Sequence, residues 1–493
     1  MGSNPTPTAN LYFPFPNRLA SVCIPPFSNQ SPEFTPISQR AIYWTTVSLL
    51  LVIWTAGLAW YTRCGPSNPK MDAISWIAAG VMLREGRPVA DIYAIRTEQV
   101  VIEVDQAPGR IAGPKELTLT RVLPGAAIAE VAQRLGYSDA NPPAFVYPPG
   151  AALAGKLLSR LGWPLSTIFM DSIGLLFLGI AIALVLARVH GETPNSALWF
   201  AAILAIAIAF HPLRFSLFLG QVTPLLALGW LLPFLPQNRR GEIIAGTIIG
   251  LLASLKVFPL LLILWLLLRR QWLGCIVAII VFMCGCFALG WNAFISWTAA
   301  ASQMSAPIRV WAENQSLAAT LHRFIYPIGL ARDWVIVEPA APWWLSSLPG
   351  VALLAWWAKR ARGTAHSPGL PPLALFAALW ILPVALLGLF WTHYIVLLIP
   401  VIPIVLANRK QTGMRQALAL ASLFLLAISG DTWTSLMPFL EQTLGNAPSA
   451  FLMRGLIALP ALSILTLLCL LLTPPAAARS APGTTPGPPQ NSC

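Results

Sequence analysis

Charge is what this sequence has least of. Of its 493 residues only 10% are Asp, Glu, Lys or Arg, while 56% are apolar. A soluble domain carries roughly 25% charged residues, so too few remain here to cover a water-exposed surface of this size. That excludes a soluble globular protein. Cysteine is also sparse and scattered: Cys23, Cys64, Cys275, Cys284, Cys286, Cys469 and Cys493. Four fall in apolar stretches, one in each tail and only Cys64 in a connecting loop, which gives neither a disulfide framework nor a zinc-ligand spacing. Cys284 and Cys286 read as small apolar core residues. With five histidines and no ligand cluster, no metal is expected; Asp72 and Asp431 are the one pair that could share a divalent ion. No glycine-rich nucleotide-binding motif is present, and no cofactor is expected. The net charge of +13 is dispersed through short loops, with no basic face interleaved with aromatics, so nucleic acid is excluded as a partner.

What is present is long apolar runs. A helix must cross roughly 30 Å of hydrocarbon with every backbone group internally bonded. Twelve candidate spans result: Ile42–Trp60, Pro164–Ala187, Ser196–Phe210, Val222–Phe234, Glu242–Leu255, Val257–Leu268, Leu273–Gly290, Trp343–Ala358, Leu373–Phe390, Tyr394–Ala407, Met414–Gly430 and Leu452–Leu472. Residues 1–40, rich in Pro, Ser and Asn and without a leader pattern, and the Pro-rich 473–493 read as disordered cytoplasmic tails. The expected fold class is an all-α polytopic bundle of about twelve transmembrane helices spanning 41–472.

Basic residues orient that bundle. With the N-terminus inside, Arg188, Arg239–Arg240, Arg269–Arg270, Lys359–Arg360–Arg362 and Arg409–Lys410–Arg415 all fall in cytoplasmic loops, as the positive-inside rule requires. Counting Pro148–Leu161 as a span would invert every later loop, so that segment is expected to be a re-entrant or interfacial helix. Both termini are then cytoplasmic. The outer side receives two long loops, Tyr61–Phe145 and Trp291–Pro342. Loops that long are seldom mere connectors, so function is sought on the outer face.

The first outer loop carries SNPKMDAISWIAAGVMLREG, in which Asn68 and Pro69 predict a helix start. Ile74, Ile77, Ala78 and Val81 form a stripe that predicts a helix lying along the membrane surface. Asp72 falls in its first turn, where the helix dipole favours an ionised carboxylate; it can serve as a general base or simply complement the dipole. Other polar residues gather at outer turns. Phe145–Pro149 includes Tyr147, and the next turn contains His211, Arg214 and Gln221. Lys256 separates two spans; Arg309, Asn314, Gln315 and Arg323 lie in the second long loop; His393 and Asp431 sit at the last two turns. Each has an ordinary reading, as a snorkelling lysine or an interfacial histidine. Their convergence on one face, with ionisable groups so costly near a bilayer, favours a site.

That set suits one chemistry. A sugar on a lipid phosphate carries its own leaving group, so an acceptor hydroxyl needs only one positioned base. Asp72 is the candidate base. Arg214, Lys256, Arg309 and His393 are the candidates for the donor phosphate, and Tyr147, Gln221, Asn314, Gln315 and Arg323 for substrate contact. Single displacement would invert the anomeric centre.

The same residues carry a resemblance. MDAISWIAAGVMLREGRPVADIY, FVYPPGAALAGKLLSRLG, GQVTPLLALGW, AGTIIGLLASLKVFPLLLILWLLLRRQW, ENQSLAATLHR and WTHYIVLLIPVI occur in order over roughly residues 70 to 405, and the chain resembles glycosyltransferase family 87 of the GT-C group. The resemblance implies a GT-C-like bundle with outer-face interfacial helices in a bacterial-type cytoplasmic membrane. It implies a polyprenol-phosphate sugar donor, mannose above all, and a lipid or glycan acceptor; membrane lipids are the expected surroundings, and a monomer is expected. The stretch from Glu98 to Leu123 is longer than the family pattern, and the Pro-rich tails are unfamiliar. Two other classes stay open: a secondary transporter, for which Asp171 inside a span could mark a path, and a non-catalytic cell-envelope assembly protein.

Overall fold

A computed structural model describes residues 36–64, 70–103, 116–138, 142–305, 308–309, 313–325, 336–337, 343–362, 370–388, 390–407, 413–428, 437–444 and 446–473. In chain order the helices are α1 (Pro36–Cys64), α2 (Met71–Arg84), α3 (Val89–Ile92), α4 (Ala126–Arg134), α5 (Pro149–Leu158), α6 (Trp163–His190), α7 (Pro194–Ala209), α8 (His211–Leu219), α9 (Arg239–Leu255), α10 (Ile263–Leu268), α11 (Trp272–Phe287), α12 (Trp291–Ser305) and α13 (Leu317–Ile325). Trp343–Ala361, Leu370–Ile381, Pro383–Leu386, Val401–Leu406, Gly413–Ala427, Met437–Leu444 and Asn446–Leu472 complete the α-helices. Thr223–Phe234, Phe258–Leu262 and Thr392–Leu398 are wound as 3₁₀ helix.

The expected helical class holds, with two small exceptions in the outer loops. The stretch that departs from the family pattern is an antiparallel hairpin, β1 (Ile95–Glu103) on β2 (Glu116–Pro124). A second antiparallel pair joins β3 (Ile308–Arg309) to β4 (Ile336–Val337), and β2 packs against β4, so the two long loops meet.

Helix length alone does not reach twelve spans. Among the described residues three helical stretches are long and apolar enough to cross a bilayer: Ser38–Leu58, Leu165–His190 and Gly455–Leu472. The number rises to five if α7 with α8, bent by 61°, and α11 with α12, bent by 95°, each count as one span. The other apolar segments are shorter, and 3₁₀ winding extends one of them. At 2.0 Å per residue the twelve residues Thr223–Phe234 reach about 24 Å, against about 18 Å as α-helix. The segment expected to be re-entrant is the ten-residue α5 with one 3₁₀ turn, Ser159–Leu161; at about 15 Å α5 is too short to cross alone. A lipid-facing surface is visible on α1, where Leu49, Val52 and Ile53 are exposed, and on α11, where Trp272, Ile276, Ile279 and Ile280 are. The protein is an integral membrane protein.

Contacts between helix ends give the bundle two unlike faces. At one, Arg40 at the start of α1 pairs with Glu192 beyond the end of α6 at 2.8 Å. Glu242 at the start of α9 accepts from the Leu273 N–H at the start of α11 at 3.1 Å, and Arg415 donates to the Thr473 carbonyl at 2.6 Å. The basic residues thus share an end. At the other, Gly150 at the start of α5 approaches Ser254 near the end of α9, and Gly285 meets that same serine. Asp72, Gln221 and Lys256 lie at this second end.

Helix α2 differs from its sequence expectation. The predicted cap residues, Asn68 and Pro69, lie outside the described residues, and the helix begins at Met71. Nor is it a surface helix with one apolar stripe. Ala73, Ser75, Trp76 and Ala79 are as buried as Ile74, Ile77 and Ala78. Glycine on both sides is the reason: a Cβ on Gly80 would sit 2.2 Å from the Gly155 carbonyl carbon, and one on Gly155 2.2 Å from the Trp76 oxygen. With no side chain between them, α2 and α5 cross backbone to backbone, and α4 covers another face through Ile128 and Val131, with Ala132 and Tyr137 closing over Ile74.

Candidate active site

The site forms where the first turn of α2 meets the turn after α8. Gly220 adopts φ +66, and a Cβ there would lie 2.7 Å from the Ala73 Cβ. Only glycine meets both demands at no cost, and it lets the next residue, Gln221, reach Asp72. The Gln221 amide nitrogen donates to Asp72 Oδ2, while its oxygen accepts from Lys256 Nζ at 2.9 Å. The amide orientation is forced, because an ammonium only donates and an ionised carboxylate only accepts. Lys256 follows the last turn of α9; its Nζ also lies 3.4 Å from Thr223 Oγ1 and 4.3 Å from the centroid of the Tyr394 ring. The Tyr147 ring is 5.8 Å from the same nitrogen. Three of the expected residues therefore form one chain, Asp72–Gln221–Lys256, with Tyr147 beside it.

His393 closes this group from the other side. Its ring lies 4.5 Å from that of Tyr394, and both its nitrogens are buried with no partner in the protein. A buried polar atom without a partner costs free energy unless something supplies one, and both His393 nitrogens keep their hydrogen-bonding capacity unused.

Burial sets the electrostatics. It pushes the Asp72 carboxyl up to about 6, while Lys256 and the Gln221 hydrogen bond pull it back down. Burial lowers the Lys256 ammonium to about 7, with Asp72 pulling the other way. It also holds the His393 imidazole well below the usual histidine range, aided by the Lys256 charge. A neutral imidazole offers one donor and one acceptor.

The remaining expected residues lie outside this hydrogen-bonded chain. Asn314 spends its side chain on backbone: Nδ2 donates to the Gly388 carbonyl at 3.1 Å, and Oδ1 accepts from the Phe390 N–H at 3.0 Å and the Ser316 N–H at 3.1 Å. The Gln315 N–H donates to the Phe390 carbonyl at 2.7 Å and the Thr392 N–H to the Glu313 carbonyl at 2.8 Å. Arg323 is buried and donates to the Asn314 carbonyl at 2.9 Å and to Thr320 at 3.0 Å. Asn314 and the backbone of Glu313 and Gln315 staple the second long loop to the turn that carries His393, and Arg323 braces Asn314 from within that loop. Arg214 is exposed on α8, and Arg309 is placed by its backbone in β3, opposite Ile336. Asp431 lies outside the described residues, as do 1–35 and 474–493 of the two tails; the end of the first tail, expected to be disordered up to residue 40, is instead the start of α1, which begins at Pro36. Among the described residues no three His, Cys, Asp or Glu gather as a metal-ligand set. The sequence reading passed over Tyr394, Thr223 and Lys70. Lys70 turned up in the start of α2 only as part of a helix-start motif; Tyr394 and Thr223 sit one and two residues from His393 and Gln221, the only signal that marked them.

Comparison with known proteins gives the remaining observation. Residues 145–387 match the model of glycosyltransferase family 87. That stretch begins after Asp72, includes Tyr147, Gln221 and Lys256, and ends just before His393. A curated protein of Mycolicibacterium smegmatis, a polyprenol-phosphate-mannose-dependent alpha-(1-2)-phosphatidylinositol mannoside mannosyltransferase, is 29% identical over 331 residues, covering 61% of this chain and 70% of its own length.

Proposed function

With residues 145–387 placing this chain among the glycosyltransferases of family 87, we propose that it moves a sugar, mannose first of all, from a polyprenol-phosphate donor onto a lipid or glycan acceptor. The reaction takes place on the outer face of a bacterial-type cytoplasmic membrane, with both termini inside. The observation that carries this reading is the chain Asp72–Gln221–Lys256 beside an unpartnered His393: one carboxylate and one cation, a single glutamine apart.

Those groups divide the work of a single displacement. The acceptor hydroxyl attacks the anomeric carbon, its proton passes to Asp72, and the bond from that carbon to the phosphate oxygen breaks. The departing polyprenol phosphate is a weak base and needs no acid to leave. Lys256 and the one N–H of neutral His393 stabilise the charge it gains. Attack opposite the leaving group inverts the anomeric centre. The placement of both groups outside rests on the positive-inside rule, applied to an end of the bundle that gathers Arg40, Arg239, Arg240 and Arg415 and not the site. Asp171, which could mark a transport path or serve an enzyme equally well, is paired with Lys70 at 3.2 Å, beside the start of the helix that carries Asp72.

The test is an assay of purified protein with polyprenol-phosphate mannose and a mannosylated glycolipid acceptor. Transfer with inversion at the anomeric carbon is expected. Transfer with retention, or none from any polyprenol-phosphate sugar offered, would overturn the reading.

A further inference from the structure

The base assigned above sits on the first turn of a helix whose start is held by an ion pair that the chemistry itself does not use. Asp171 lies inside α6, 1% exposed, and its Oδ2 accepts from Lys70 Nζ at 3.2 Å. The same ammonium donates to the Leu217 carbonyl, in the last turn of α8. Lys70 is the residue before α2, and its carbonyl accepts from the Ile74 N–H at 3.0 Å, the first hydrogen bond of that helix. Its stem also lies against Gly220: a Cβ there would come within 3.0 Å of Lys70 Cβ.

The first turn of α2 is therefore fixed at three points to one short segment, Leu217–Gln221, and through Lys70 to the early turns of α6. A lone carboxylate in a bilayer is expensive and persists when it is paired. A salt bridge this deep contributes little net stability against an apolar substitute. What it does fix is geometry, since the ammonium can satisfy Asp171 and Leu217 together from only one place. Two residues on, Asp72 must meet Gln221, and an error of about 1 Å in such a contact can cost on the order of 100-fold in rate.

We propose that Lys70 and Asp171 are positioning residues for the transfer reaction: their ion pair latches the start of α2 onto α6 and α8 and so sets Asp72 against Gln221 and Lys256. This rests on Asp72 being the base. It assigns to Asp171 a role within the enzyme in place of a transport path.

The experiment compares Lys70→Met, Asp171→Asn, the double variant, Lys70→Arg and Asp72→Asn in purified full-length protein, with steady-state transfer and hydrogen exchange over α2 read on each. The expected result is a fall in kcat of about 10- to 100-fold in each single variant, with the donor KM within about threefold and faster exchange confined to the first turn of α2. The double variant should be no worse than the poorer single one, because both break the same latch, and Lys70→Arg should recover most of the rate. Unchanged kcat in both single variants would overturn the proposal. So would a loss of rate with faster exchange throughout the bundle and no recovery in Lys70→Arg, since that describes a merely structural pair. Full activity of Asp72→Asn would instead remove the base on which the latch acts, which separates the two failures.

Discussion

Gln221 stands between a carboxylate and an ammonium that would otherwise touch. Its amide gives each the kind of partner it needs and keeps the two charges one side chain apart. A direct ion pair would hold Asp72 ionised but also hold it in place, a poor state for a base that must accept a proton. Gln221→Ala should therefore lower kcat by about tenfold, the size of one charge-assisted hydrogen bond, and move the acid limb of the pH–rate profile to lower pH as Lys256 closes on the carboxylate. An unmoved limb would argue against the bridge. In the wild type a base must be deprotonated to act, so kcat/KM should rise as Asp72 ionises near pH 6 and fall again as Lys256 loses its proton near pH 7. These are properties of the pair rather than of either residue alone. Titration of kcat/KM against pH, repeated in Lys256→Met, checks the assignment: the alkaline limb should vanish in the variant, and donor binding should weaken by roughly 10- to 100-fold.

At the scale of elements, backbone-to-backbone crossings carry the site. The α2–α5 crossing depends on Gly80 and Gly155, each of whose added Cβ would strike main chain. Gly155→Val should force the helices apart at a cost of about 1–3 kcal/mol, seen as a lower unfolding temperature in detergent together with loss of activity; an unchanged melting curve would contradict the crossing. How much of this was legible in the sequence follows from the kind of signal each element carries. Apolar runs marked the three long spans, Ser38–Leu58, Leu165–His190 and Gly455–Leu472, because the bilayer imposes length and hydropathy locally. Gln221 and Lys256 stood out because they are polar residues at turns between apolar runs and fall within the stretches that carry the family resemblance, GQVTPLLALGW and AGTIIGLLASLKVFPLLLILWLLLRRQW. The burial of α2 could not be read, since its apolar stripe looked one-sided until α4 and α5 supplied the other covers. The β1–β2 hairpin was seen only as an unfamiliar insertion; its alternation is weak. Asn314 and Arg323 read as candidate substrate contacts because they are polar; the structure adds that the Asn314 amide meets backbone groups of Gly388 and Phe390, a pairing across 74 residues that no local pattern reveals, while Arg323 donates to the Asn314 carbonyl within the same loop.

Across the whole molecule the two ends of the bundle have opposite characters. One gathers the basic residues, with Arg40 on Glu192 and Arg415 on the closing helix; the other gathers the site, the hairpins and α4. Orientation is a separate question from architecture and has its own test. In a background without the native cysteines, Gln133→Cys on exposed α4 should react with a membrane-impermeant thiol reagent in intact cells, and Gln237→Cys at the basic end only after permeabilisation. The reverse pattern would put the site in the cytosol.

The central claim is that Asp72 removes the acceptor proton while its neighbours hold the donor. It is tested most directly by measuring donor binding and sugar transfer on the same sample of Asp72→Asn, a change that keeps shape and removes the basic charge. The account predicts wild-type donor affinity within a few-fold and a transfer rate lower by about 10²- to 10⁴-fold. Transfer at close to the wild-type rate, with the donor bound as before, would contradict it.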